Sequence, residues 1–351
     1  MSTEEFTSAH GKLVASALAG AWRAQPPPCA LTASDFEAIT PLLLKSGTAA
    51  LVWRRLHQER RQDGFMDQLH LAYKLQALQA AVHEHEVKEV FRLLHATGLD
   101  GLLVKGWAVA RLYPERGLRH YGDIDLCVCA RDFERAVSLG RGTKIWIDFH
   151  RGFSQLDGSN EEEIFGRSVL LPIDDVTIRT PSLEDHLRIL CLHLLRHGAW
   201  QPLWLVDVAL ILETSTQDFD WQRFFGRNLR RAEWLSAVLL LAHTLLEANL
   251  EETPLALRTK QLPSWLVQSV LRRWGRWFNA DYRNPALTSL WKHRGQPRKL
   301  FDDLYFRFDP IRATVETGGA FNSIPRLPYQ LAAFLRRASE MPRRLANSLQ
   351  D

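Results

Sequence analysis

Residues 102–128 read LLVKGWAVARLYPERGLRHYGDIDLCV, and the fold turns on how this stretch is parsed. Leu102-Leu103-Val104 is too short an apolar run for a helix and suits a buried strand, while Gly98 closes the preceding helical pattern in the manner of a C-cap. Lys105-Gly106 ends this strand and Ala108 to Tyr113 reads as a helix. Asp123-Ile-Asp-Leu-Cys-Val-Cys129 then alternates with the period of two expected of a second strand. Arg131 to Leu139 returns to helical spacing, and Lys144-Ile-Trp-Ile-Asp-Phe-His150 alternates again. Strand, helix, strand, helix, strand is the order of a small α/β sheet.

Outward from this stretch the chain is helical. Pro26-Pro27-Pro28 separates a short first helix from the rest, and Thr32-Ala33-Ser34-Asp35 offers N-caps for the next. A long helical pattern from His57 to Leu99 carries Leu69, Leu75, Leu78, Val82, Val90, Leu93 and Leu94. Downstream, Val169-Leu-Leu171 and Val176-Thr-Ile178 flank Asp174-Asp175 as a hairpin or as paired edge segments. Pro181-Ser182 caps a helical region running from Leu183 to Leu250, and Pro254 and Pro263 divide it from an arginine-rich last portion. The expectation is an α/β (α+β) chain in three parts: a helical region over 1–97, a small mixed-sheet core over 98–180 and a helical region over 181–351.

With 351 residues and 46% hydrophobic composition the chain can bury a large core. Its most apolar stretch, Trp234 to Leu250, contains His243 and Glu247 and is short of a membrane span, and the N-terminus lacks the cationic segment of a secretory signal. A cytoplasmic protein without a membrane partner is expected. The four cysteines, Cys29, Cys127, Cys129 and Cys191, form neither a disulfide framework nor a CxxC pair, so reduced thiols and no disulfide partner are expected. Charge is unevenly spread: 258–351 holds 17 Lys and Arg against 7 Asp and Glu, while the rest is net acidic. Such a basic end fits a polyanion or a solvated helical face.

Alternation on the second strand puts Asp123 and Asp125 on one face, with Ile124, Leu126 and Val128 packed on the other. Two carboxylates in one small space repel unless a cation joins them, and hard oxygen ligands suit Mg²⁺ or Mn²⁺. The third strand likewise places Asp148 mid-run among apolar neighbours, where a metal would supply the partner that a buried charge needs. Such a third carboxylate can complete a metal site and take the proton of an attacking hydroxyl. Lys105 and Gly106 let a triphosphate approach the backbone beside a charge, and Arg119 could grip phosphate with its fork. His193 and His197 lie one turn apart with Asp207 beyond, but no HExxH pattern is present, and they read as residues that order the helical region or line a pocket.

The same stretch resembles the signature of the uncharacterised bacterial nucleotidyltransferases of the DNA polymerase beta superfamily. That pattern comprises an LKG segment, an LYP, an arginine and GDIDLLV, matched here by Lys105, Gly106, Leu112, Tyr113, Pro114, Arg119, Gly122, Asp123, Ile124, Asp125, Leu126 and Val128. The resemblance implies that Asp123 and Asp125 bind metal, that the glycine turns at Gly106 and Gly122 meet nucleotide, and that Asp148-Phe149-His150 supplies a third acid. It extends weakly over about residues 40 to 335. One departure is visible: only Arg141-Gly142-Thr143 separates the expected helix from the third strand, fewer than in the family pattern. The implied activity is transfer of a nucleoside monophosphate from an NTP to a hydroxyl of an unknown acceptor, whether small molecule, peptide or RNA. Two alternatives are a degenerate nucleotide-binding scaffold protein and a tRNA-end modifying enzyme, the latter motivated by the basic C-terminal third.

Overall fold

The computed structural model describes residues 3–153, 155–156, 160–215, 217–256, 261–276 and 308–347. Four helices come first: α1 (Thr3–Leu18), α2 (Ala33–Lys45), α3 (Ala49–Gln58) and α4 (Met66–Ala96). The expected caps form α2, where the Thr32 side chain accepts from the Asp35 N–H and the Asp35 carboxylate accepts from Thr32. The long pattern from His57 to Leu99 is two helices, broken between Gln58 and Met66.

Helix α4 is apolar on two opposite faces. Leu69, Ala80, Val87, Val90, Phe91 and Leu94 are buried. Leu71, Leu75, Leu78 and Val82 are 57, 57, 65 and 52% exposed. At about 100° per residue these four fall within one arc on the side away from the buried set, so the apolar residues of the helical pattern divide between core and solvent.

The central sheet contains β1 (Gly101–Val104), β2 (Ile124–Val128) and β3 (Ile147–Arg151), in the order β1-β2-β3. The pair β1 and β2 is antiparallel, joined across the five-residue helix α5 (Gly106–Ala110). The pair β2 and β3 is parallel, and α6 (Phe133–Arg141) makes the crossover that a parallel pair requires. The strand expected from Lys144 begins at Ile147 because it pairs only along the short β2. After α7 (Glu161–Gly166), β4 (Val169–Ile173) and β5 (Val176–Thr180) form the hairpin, with Asp174 at φ 52° in its turn.

The other described elements are helices: α8 (Leu183–Arg196), α9 (Pro202–Thr214), α10 (Trp221–Phe225), α11 (Leu229–Leu246), α12 (Ser264–Trp274), α13 (Pro310–Glu316) and α14 (Leu327–Asn347). No helix among the described residues is long and apolar enough to cross a membrane. All four cysteines are free thiols.

Two faces of the sheet have different cover. Leu103, Ile124, Leu126 and Val128 pack with Val87, Phe91 and Leu94 of α4 and with Val176 and Ile178 of the hairpin. Leu102, Val104 and Cys127 pack instead beneath Ile189 of α8, with Phe153, Leu156 and Ile164. A separate, larger core joins helices from both ends of the chain, among them Leu18 and Trp22, Leu51, Leu190, Val206, Leu239 and Leu266.

Candidate active site

On the α8 side of the sheet, register sets the geometry. Asp125 lies directly across from Asp148 in the parallel pair and across from Val104 in the antiparallel one. Asp125 is 3% exposed, whereas the Asp148 side chain is 52% exposed. A buried acid thus sits at the floor of a site whose second acid faces solvent. His150, two residues along β3 on the same face, brings Nε2 to 3.0 Å from Asp125 Oδ1 and 3.5 Å from Asp148 Oδ2. Ligand atoms of Asp125, Asp148 and His150 all lie within 4.8 Å of one another. The short connection ahead of β3 still delivers Asp148 to a position opposite Asp125.

Lys105 closes this group from the end of β1, its Nζ ion-paired with Asp125 Oδ1. Burial pushes the Asp125 carboxyl up, but the His150 hydrogen bond and the Lys105 charge outweigh it and hold the carboxyl below its ordinary value. Asp123 is half-buried one residue ahead of β2. Its charge is felt by His120, whose pKa is nevertheless lowered, by burial and by Arg119. Among the described residues the close ligand group is therefore Asp125, Asp148 and His150.

The turn after β1 is unusual. Lys105 adopts φ 56°, ψ −147°, a conformation that side-chain-bearing residues rarely enter. Gly106 follows at φ 36°, and a Cβ there would lie 3.3 Å from the Asp123 carbonyl oxygen, so close backbone approach is what this glycine permits. Gly122 is exposed and nothing lies within 4 Å of where its Cβ would be.

Arg119 is placed differently from the sequence expectation. Its guanidinium is buried against Asp207 of α9, with Nε at 3.2 Å from both carboxylate oxygens and Nη2 at 2.8 Å from Oδ2. Nη1 donates to the His120 carbonyl, and the Tyr113 hydroxyl donates to Asp207 at 2.8 Å. The fork that could have gripped phosphate is spent on a buried carboxylate that would otherwise be uncompensated. The His193 and His197 rings meet at a 45° tilt and both lie edge-on to Trp204, and neither joins a ligand group among the described residues. Asp207, with its arginine and tyrosine, is a structural anchor joining α9 to the loop before β2.

Sequence alternation already placed His150 beside Asp148, but its approach to Asp125 depends on the parallel register. The contact of His186 with the turn was not legible: it lies 81 residues from Lys105, whose backbone N–H donates to its Nε2.

A family model described as uncharacterised nucleotidyltransferase matches residues 32–139 and again 140–247, more than half of the chain. The chain belongs to this family. No curated protein and no solved structure matches it. In this nucleotidyltransferase family member the two matched stretches meet inside α6, next to the short connection noted above, and the facing acids Asp125 and Asp148 come one from each.

Proposed function

We propose that the protein transfers a nucleoside monophosphate from an NTP to a hydroxyl-bearing acceptor and releases pyrophosphate. The observation that carries this reading is the register pairing of Asp125 with Asp148, in a member of a nucleotidyltransferase family. Two carboxylates and an imidazole converging within 4.8 Å fit a divalent cation, and the oxygen donors suit Mg²⁺ or Mn²⁺. Asp125 and Asp148 would hold it, and Asp123, two residues before Asp125, would serve a second ion. Bound there, such ions supply charge neutralisation of the triphosphate and polarisation of the α-phosphate.

The chain's own groups do the rest. Lys105 is within reach of triphosphate oxygens because its ammonium already lies at the Asp125 carboxylate, and Gly106 leaves the backbone open beside it. Half-exposed Asp148 accepts the proton of the acceptor hydroxyl. The freed oxygen forms a bond to the α-phosphorus as the bond to the β-phosphate bridge breaks and pyrophosphate departs. Arg119 acts through the fold, by holding Asp207 and the loop leading to Asp123.

Incubation with each labelled NTP, Mg²⁺ or Mn²⁺ and a panel of sugar, peptide and RNA acceptors tests the reading. Labelled acceptor and stoichiometric pyrophosphate are expected for at least one combination. Failure of all four NTPs either to turn over or to bind in the presence of metal contradicts it.

A further inference from the structure

Lys105 has to hold two things at once: a backbone conformation that residues with a side chain rarely adopt, and an ammonium aimed at Asp125. Something must over-determine that turn. Its carbonyl accepts from the Val109 N–H at 3.3 Å, which only continues the short helix. Its N–H donates to Nε2 of His186 at 3.2 Å. His186 belongs to α8, the helix that lies over this face of the sheet, one turn before Ile189, which packs against Leu102, Val104 and Cys127.

We propose that His186 is a positioning residue for the nucleotide turn: by accepting the Lys105 N–H from across the sheet face, it holds the backbone of the turn so that the Lys105 ammonium meets the acidic group. The inference rests on the proposed nucleotidyl transfer for its catalytic consequence, but the geometry it asserts does not. A backbone N–H can only donate, so Nε2 must be the unprotonated nitrogen of this ring. The surroundings keep it so. His186 is 2% exposed, and burial, with Arg111 and Arg119 adding their charge, pushes its pKa down to about 3. The groups whose charge reaches the ring are thus both cationic, and both favour an imidazole that accepts.

Three variants separate positioning from bulk packing. In His186→Gln the amide oxygen reaches the place of Nε2 and can still accept. His186→Leu keeps the volume without an acceptor, and His186→Asn is polar but too short, serving where the leucine variant does not fold. Two readouts are taken on the full chain: amide exchange at Lys105 by NMR, which needs no turnover, and KM and kcat for the NTP, with melting temperature as the check on folding. Removing the acceptor in Leu or Asn should speed Lys105 exchange and raise the NTP KM by roughly tenfold. Gln should restore both to within about threefold of the parent. Unchanged Lys105 exchange in the Leu and Asn variants, or a Gln variant no better than Asn, overturns the proposal. Faster exchange with restoration by Gln, in a parent that turns over no NTP, upholds the positioning role and removes only the nucleotidyltransfer reading.

Discussion

Lys105 neutralises Asp125 whenever no other cation is present, so a divalent ion arriving alone must displace it. A triphosphate arriving with the ion gives the ammonium a new partner and removes that competition. Lys105→Met should therefore tighten binding of Mn²⁺ alone by roughly tenfold, about 1.4 kcal/mol, while weakening binding of the Mn²⁺–NTP pair. Titration followed by the electron spin resonance of free Mn²⁺ reads both, and weaker binding of Mn²⁺ alone would sink the competition. Arg119 should behave otherwise. Its loss strands Asp207 in the interior, so Arg119→Ala should cost about 3–5 kcal/mol in urea unfolding, and pairing it with Asp207→Leu should recover much of that. A variant of normal stability that simply raised the NTP KM would return Arg119 to the phosphate role suggested by its position in the motif. His186 gives a pH signature. Its folded pKa of about 3 lies below the ordinary value, so the unfolded chain binds the extra proton between pH 6.5 and 3. Stability from this group is complete above about pH 6.5 and is lost as pH falls, at up to ~1.4 kcal/mol per pH unit. His186→Gln should flatten the stability curve between pH 6 and 4 by about one proton. An unchanged slope would mean that the ring is not held neutral.

Elements differ in how plainly the sequence announces them. Strands β1, β2 and β3 were legible because short alternating or apolar runs stand between glycine and helix signals, and period two alone assigns Ile124, Leu126 and Val128 to one face. The Asp125–His150 contact was only half legible, since alternation gives the face while the partner comes from a register set by packing. The Arg119–Asp207 pair was not legible, because motif position says nothing of a carboxylate 88 residues away. Helix α4 misled for a different reason: its leucines obey helical spacing on two opposite faces, and spacing does not tell which face finds a core. Leu69→Ala should cost about 2–5 kcal/mol, and Leu78→Ala, on the solvent face, less than about 0.5. Comparable losses in chemical denaturation would show that the outer stripe is covered. Between α1 and α12 the approach is closer still. A Cβ on Gly11 would lie 1.9 Å from the Leu271 carbonyl oxygen, and one on Gly275 would lie 1.8 Å from that of Thr7. Gly11→Ala should therefore push these helices apart and cost about 1–3 kcal/mol, more than the small gain that alanine brings to an isolated helix.

For the molecule as a whole, the shared core of the terminal helices means that α1 and α3 fold with α8, α9, α11 and α12, leaving the sheet held between α4 on one face and α8 on the other. This arrangement fixes the acidic group on paired strands and leaves its outer acid, Asp148, facing solvent, where an acceptor can approach. The excess of 17 Lys and Arg over 7 Asp and Glu across 258–351 is set apart from the net acidic remainder. If an RNA acceptor uses that charge, binding must weaken with salt by roughly 0.9 log units per log unit for each duplex phosphate neutralised. The central claim concerns the facing acids. Pyrophosphate release from NTP should be measured with Mg²⁺ for the parent chain, Asp125→Asn and Asp148→Asn, with melting temperatures taken in parallel. The account predicts metal-dependent release by the parent, reduced by about a thousandfold or more in both variants while each still unfolds cooperatively, a loss of about 4 kcal/mol of transition-state stabilisation. Release at the parental rate by either folded variant would contradict it.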